Sequence, residues 1–148
     1  MIRIVCVGNL KEKYLVDAAS EYVKRITKFS KIEVIELKES TLQPYTLALK
    51  EEEKNIKNHL KGYVIKLAIE GNMLDSVQLS KKIENIQING NSDITFLIGS
   101  SHGLSADIPF DFALSFSKMT FPHQLARILI LEQIYRAYSI LNNTKYHK

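Results

Sequence analysis

Two short segments of the chain combine glycine, hydroxyl side chains and free backbone amides directly after apolar runs. Residues 99–103 follow the run at 94–98, and residues 117–120 follow the run at 112–116. Hydrogen-bond donors beside apolar walls are typical of a small-molecule pocket. The glycine patterns of dinucleotide and triphosphate loops are absent, as is the nucleophile elbow of hydrolases. The residues alone therefore predict a binding pocket without identifying its ligand.

The last three residues, Tyr146, His147 and Lys148, place a ring, an imidazole and an ammonium group side by side. A ring can stack on a nucleobase, and an imidazole can exchange a proton near neutral pH. Chain ends of this composition are commonly disordered and dispensable. A helix ending near Leu141 leaves about seven residues, which span up to roughly 20 Å when extended. The tail could thus reach the pocket of its own subunit or of a partner.

Positive charge is concentrated in the last fifth of the chain. Residues 118–148 have one acidic residue, Glu132, and five basic ones: Lys118, Arg127, Arg136, Lys145 and Lys148. Their net charge of +4 equals that of the whole chain, so residues 1–117 are balanced. A neutral body with one basic end favours binding to a polyanion.

The order of apolar patterns predicts an α/β domain with a largely parallel sheet flanked by helices. Strands are expected at 2–7, 32–37, 63–69, 94–98 and 112–116. Helices are expected after a capping box at Asn9 and Glu12, at 47–60, from Asp75 or Ser76 to Asn89, and at 124–141. Segments 67–71, 98–103 and 116–120 should then converge at the carboxyl edge of the sheet, where ligands of such sheets bind.

The long helix at 124–141 has two apolar faces. Arg127 projects from the middle of the wider face, so it either extends to solvent or meets an anion or carbonyl groups. Leu125, Leu129 and Ile140 form the second face. One sheet covers only one face of a helix, so the second predicts a homodimer.

Composition excludes several classes of protein. The chain of 148 residues suits one globular domain, and no segment is long enough to span a membrane. The single cysteine, Cys6, lies in an apolar run, which predicts a core position and a cytoplasmic, reducing environment. The histidines lack zinc-ligand spacing, so no metal site is expected. The charged run at 50–54 is expected to be a solvated helix face.

Three motifs carry a resemblance to a known family: IGSSHGLS, ALSFSKMTFPHQLARILILEQIYRAYSI and the terminal YHK. With the opening VGNLKEKY, the EYVKRI segment and the LAIEG segment, the chain resembles the bacterial 23S ribosomal RNA pseudouridine N3-methyltransferases. These are small members of the SPOUT superfamily of S-adenosylmethionine-dependent enzymes. The resemblance covers essentially the whole chain and implies a single SPOUT methyltransferase domain over residues 1–148.

The resemblance also implies a deep C-terminal trefoil knot and 23S ribosomal RNA within the ribosome as substrate. It favours a functional tail, in which Tyr146 and His147 are expected to position the target base, with His147 as the candidate proton acceptor. Arg127, on the wider apolar face, is a further candidate catalytic residue. The positive charges of Arg136, Lys145 and Lys148 suggest contacts with RNA. The S-adenosylmethionine contacts carried over by position are Leu67, Gly99, Phe116, Ser117, Lys118, Met119, Thr120 and Phe121.

Two positions depart from the family pattern. Ser100 replaces a second glycine, where a Cβ could narrow the pocket or alter a positive-φ backbone. Lys54 replaces a glycine after the acidic run. Two other functions stay open: a SPOUT ribose 2′-O-methyltransferase acting on transfer RNA, and a non-catalytic ribosome-binding factor. The short chain and the YHK end argue against the first, and cofactor binding would exclude the second.

Overall fold

The computed structural model describes all 148 residues, and its parallel sheet flanked by helices confirms the predicted α/β class. Five parallel strands form one sheet in the order β2-β1-β4-β3-β5, with bounds β1 Ile2–Val7, β2 Ile32–Leu37, β3 Tyr63–Met73, β4 Ile94–Ile98 and β5 Phe112–Ser115. Four helices accompany them: α1 Lys13–Ile26, α2 Tyr45–Lys57, α3 Ser76–Ile88 and α4 His123–Leu141.

The core lies on both faces of the sheet, because helices pack against the central strands from both sides. β4 is the central strand, and Phe96 pairs with Ile4 of β1 and Ile65 of β3. The side chains on the Phe96 face pack against α1, α3 and α4. On the opposite face, Leu97 and Val5 pack in a smaller cluster with Ile56 of α2. Continuous apolar strands of this kind are typical of parallel sheets covered on both sides.

Cys6 belongs to this core, as the sequence predicted. Its side chain is buried on β1, and burial raises the pKa of the thiol to about 11. A thiol that holds its proton so firmly is inert as a nucleophile at neutral pH.

β3 is longer than predicted, which corrects the expectation that the strand ends at residue 69. The strand continues to Met73 because it pairs with β5 twice, on either side of a register shift: Leu67 and Asn72 both oppose Leu114. Gly71 allows this close pairing, since a Cβ there would lie 2.7 Å from the Ala113 carbonyl group. The intervening residues bulge toward the carboxyl edge.

Two further expectations about helices were wrong. Asn9 does not cap α1, which begins after Glu12 without a side-chain cap. The run at 50–54 is not fully solvated, because Glu52 and Glu53 are buried and accept hydrogen bonds from the Ser40 amide and the Ser105 hydroxyl. They tie α2 to the loops that follow β2 and β4.

The predicted start of α3 and the extent of α4 are confirmed. Asp75 and Gln78 form a complete capping box, with hydrogen bonds of 2.7 and 2.8 Å. α4 follows Pro122 and packs between α1 and α3. None of the helices has both the length and the apolar composition needed to cross a membrane.

Candidate functional site

A cavity of about 390 Å³ opens at the carboxyl edge of the sheet. Its walls come from residues 66–70 of β3, residues 98–104 after β4, and residues 114–121 at the end of β5, with the first turn of α4. The predicted convergence of three strand ends is therefore confirmed. The volume falls within the range of sites that bury a small organic ligand.

Seven of the eight residues expected to contact a cofactor line this one cavity, and Lys118 does not. Leu67 and Phe116 also pack against the main core, so each serves both the cavity wall and the fold. The Lys118 side chain is exposed and outside the lining.

The loop after β5 is held in shape by its own hydroxyl groups. Ser115 Oγ donates to the Ser117 carbonyl oxygen at 3.0 Å, and the Met119 amide donates to Ser117 Oγ at 3.0 Å. The Met119 amide is thus already engaged. The amides of Lys118, Thr120 and Phe121 make no hydrogen bond within the chain and remain available to a ligand.

Glycine is required at position 99 because the backbone of a following residue lies too close to leave room for a side chain. A Cβ at this position would lie 2.4 Å from the Gly103 carbonyl oxygen and 2.8 Å from Leu104 Cγ. The turn at residues 100–103 therefore folds back over Gly99, closed by a 2.9 Å hydrogen bond from the Gly103 amide to the Ser100 carbonyl. The close approach that makes glycine necessary at position 99 is therefore within the chain itself.

The serine at position 100 fits this turn without strain. Ser100 is buried, lines the cavity, and does not adopt a positive φ, while Gly103 does at +85°. A Cβ at position 100 therefore narrows the cavity slightly and leaves the backbone unchanged.

The cavity is also lined by two histidines that the sequence analysis did not assign to it, His102 and His123. The His102 ring stacks on Tyr45 at 5.2 Å between centroids, and the neighbouring Ser101 hydroxyl donates to Glu39. His123 is the first residue of α4. Its place directly after the segment assigned to the cofactor was a signal for it, since a helix start beside a pocket exposes its first side chain.

Arg127 is buried, with 3% of its surface exposed, and lies outside the cavity lining. Its guanidinium forms a salt bridge with Glu36 of β2 and donates to the Gly8 carbonyl oxygen at 2.9 Å. Nε has no partner. Of the two expectations for Arg127, burial against an anion and a carbonyl is confirmed. The contact ties the start of α4 to the ends of β1 and β2.

The C-terminal tail folds back on the outer side of α4. Tyr146 meets the Tyr135 ring edge-on at 4.6 Å between centroids, and its hydroxyl lies 3.3 Å from Glu132. The Arg136 guanidinium lies 4.8 Å from the Tyr146 ring centroid, and its Nη1 lies 3.1 Å from His147 Nδ1. No tail residue lines the cavity of its own subunit.

This packing changes the chemistry of the tail. Burial, with Tyr22 and Glu132 nearby, raises the pKa of Tyr146 to about 12, so its phenol is neutral under ordinary conditions. Arg136 is already paired with Glu132 at 2.8 Å, which leaves it little capacity for an RNA phosphate. Lys145 and Lys148 are exposed and have no acidic partner.

No group of three or more histidine, cysteine or carboxylate side chains is arranged to hold a metal ion. The site is therefore an apolar cavity with free backbone donors and two imidazoles, beside a tail with aromatic and cationic groups.

A family profile described as "Predicted SPOUT methyltransferase" matches residues 1–147, and the chain belongs to the SPOUT methyltransferase family. Two relatives named ribosomal RNA large subunit methyltransferase H, from Ruminiclostridium cellulolyticum and Clostridioides difficile, are 45% and 46% identical to it. A relative from Methanococcus maripaludis is 49% identical. Each alignment covers 99% of this chain and 99% of the relative.

Proposed function

We propose that this protein transfers a methyl group from S-adenosylmethionine to ring nitrogen 3 of a pseudouridine in 23S ribosomal RNA of the large subunit. The observation that carries the proposal is the cavity in which residues 66–70 of β3 meet the loops after β4 and β5. The names and full-length similarity of the relatives support ribosomal RNA as the substrate. With ribosomal RNA as its substrate, the protein would act in the cytoplasm.

The residues present fit the cofactor. Leu67 and Phe116 supply apolar walls for an adenosine, and the unpaired amides of Thr120 and Phe121 can donate to its adenine edge. When bound there, S-adenosylmethionine would supply an electrophilic methyl group for the ring nitrogen. The chain's contribution is to hold the reacting atoms in line.

We further infer that the C-terminal region forms a trefoil knot. The connection from β4 to β5 passes over β3 in the strand order and contains no helix. It folds tightly against the end of β4 through the Gly99–Gly103 contact. α4 then runs back between α1 and α3. A single domain over residues 1–148 would thus have its cofactor loops inside the knotted segment.

The active species is proposed to be a homodimer in which the tail completes the partner's site. Leu125 remains 39% exposed on α4, on the same side as the partly exposed Leu129. His147 contacts α4 at Arg136, which lies about 15 Å along the helix from Ala126 in the cavity wall, at a rise of 1.5 Å per residue. In one subunit, then, Tyr146 and His147 are too far from the cavity to act there, and a second subunit can supply them. Lys145 and Lys148 would contact RNA phosphates.

Mass spectrometry of ribosomal RNA nucleosides tests the function. Cells lacking this gene should lose one N3-methylpseudouridine from 23S RNA, and the purified protein with S-adenosylmethionine should restore it on their ribosomes. Methylation of transfer RNA ribose instead would select the alternative enzyme. Absence of measurable cofactor binding would leave only a non-catalytic ribosome-binding factor.

A further inference from the structure

The contact between Arg136 and His147 fixes the position of the proton on the imidazole. Arg136 Nη1 lies 3.1 Å from His147 Nδ1, which is a hydrogen-bond distance. A guanidinium has only N–H donors and no acceptor. Nδ1 must therefore be the acceptor and carries no proton. A neutral imidazole with a bare Nδ1 carries its proton on Nε2.

The surroundings of Arg136 keep this arrangement in place. Its Nε and Nη2 bind one Glu132 oxygen at 2.8 and 2.6 Å, one turn earlier on α4. The Glu132 salt bridge and hydrogen bonds raise the pKa of Arg136, so the guanidinium stays charged. Three groups, Glu132, the Tyr146 ring and His147, thus share one arginine.

A proton on Nδ1 would remove the acceptor for Arg136 and place a second positive charge about 3 Å from the guanidinium. The other ionisable groups around this corner do not reverse that effect. Glu132 is neutralised by Arg136, and the Tyr146 phenol is protonated. The remaining charged and titratable neighbours are Lys145 and Lys148 on the tail, and Glu21, Tyr22 and Arg25 of α1 with Tyr135 of α4.

We propose that His147 acts as a hydrogen-bond donor, through Nε2–H, to a carbonyl oxygen of the target base, and that Arg136 is the positioning residue that fixes this tautomer. The inference rests on the proposed function. Nitrogen 3 of the base lies between two carbonyl groups, so the charge left when its proton departs spreads onto their oxygens. A fixed donor stabilises that charge. The N3 proton leaves to solvent, and His147 keeps its own proton throughout.

This assignment differs from the role of proton acceptor that the sequence suggested for His147. An acceptor needs a bare nitrogen facing the substrate, and the bare nitrogen here faces Arg136. Arg136 likewise changes role, from a phosphate contact to a group that acts on the site through His147.

Nitrogen NMR of the imidazoles tests the tautomer on the full-length protein without depending on methyl transfer. In ¹⁵N-labelled protein, the His147 signals, assigned by their loss in His147→Gln, should show a bare Nδ1 and a protonated Nε2 near neutral pH. In Arg136→Met the preference should weaken, and Arg136→Lys should partly restore it. A protonated Nδ1 in the wild-type protein would overturn the proposal.

Single-turnover methylation of ribosomes tests the donor. A glutamine side chain can place an N–H near the Nε2 position, whereas alanine cannot. Loss of one such donor lowers a rate by about 100- to 1,000-fold. His147→Ala should show that loss and His147→Gln should recover to within about tenfold of wild type, with an unchanged pH profile. Equal loss in both variants, or a pH limb present in wild type and missing in His147→Gln, would overturn the donor role. Wild-type protein that methylates no ribosomal RNA would refute the proposed function, while the tautomer would still be decided by NMR.

Discussion

Replacing Gly99 with alanine should weaken S-adenosylmethionine binding by about 100-fold. The added Cβ would lie 2.4 Å from the Gly103 carbonyl oxygen. Ordinary non-bonded contacts lie near 3.5 Å, so the turn at residues 100–103 must move by roughly 1 Å. That turn forms one wall of the cavity. A misplacement of about 1 Å can cost an enzyme about 100-fold in rate. We expect a loss of the same order in cofactor affinity, about 2.8 kcal/mol.

The same collision should lower the free energy of unfolding by about 1–3 kcal/mol, as for other overpacked sites. Gly90→Ala is the matched control. Gly90 has φ +97°, where alanine is strained, but nothing lies within 4 Å of its added Cβ and it is not part of the cavity. It should therefore lose a similar amount of stability, about 1–2 kcal/mol, and keep wild-type affinity for the cofactor.

Isothermal calorimetry with S-adenosylmethionine, run beside urea unfolding of each variant, separates the two effects. Gly99→Val should bind still more weakly than Gly99→Ala, because two further methyl groups enter the same turn. If Gly99→Ala bound the cofactor within about threefold of wild type, the cavity would not be the cofactor site. An equal loss in Gly90→Ala would mean that general destabilisation explains both results.

Four further predictions follow from the contacts of α4 and the tail. Arg127→Met should lower the free energy of unfolding by about 1.5–3 kcal/mol, because the charged hydrogen bond to the Gly8 carbonyl oxygen is lost. The carboxylate of Glu36, whose side chain is 43% exposed, can regain water. A loss of cofactor affinity without any loss of stability would instead place Arg127 in the site. Between pH 10 and 12, Tyr146 ionises in the unfolded chain but keeps its proton in the folded chain. The free energy of unfolding of the wild-type protein should therefore fall as the pH rises through this window. Urea unfolding of Tyr146→Phe should lack that part of the decline. Deleting residues 146–148 should leave calorimetric cofactor binding nearly unchanged and cut ribosome methylation severely; wild-type rates would show that the tail is only a terminus. Sedimentation should give a homodimer at micromolar concentration that Leu125→Asp dissociates with loss of activity, and a fully active monomer would contradict the composite site.

The strand and helix pattern was readable from the sequence because parallel strands and amphipathic helices impose strong periodicities. Four of the five residues of β4 are apolar, and Asp75 with Gln78 is a cap that local residues alone can complete. The convergence of the three strand ends followed from the geometry of parallel sheets. It did not need any knowledge of the ligand.

What the sequence could not reveal were contacts between residues distant in the chain. The burial of Glu52 depends on an amide twelve residues away, and the extension of β3 to Met73 depends on a shifted pairing with β5. The partners of Arg127 lie 91 and 119 residues away. By its charge alone, Arg136 was predicted to contact RNA, whereas its guanidinium already binds Glu132 and His147.

The central place of β4 limits how a newly synthesised chain can fold. β4 is made after β1 and β3, yet it lies between them, so β3 has no native neighbour among the strands made before it. The first two strands can pair early, while the half that bears the cavity must wait for residue 98 and then for β5. Long-range parallel pairing is slow and leaves apolar surface exposed to aggregation in the meantime. Cofactor binding needs residues 66–70 of β3 together with the loops after β4 and β5, so it should be the last property that the growing chain acquires.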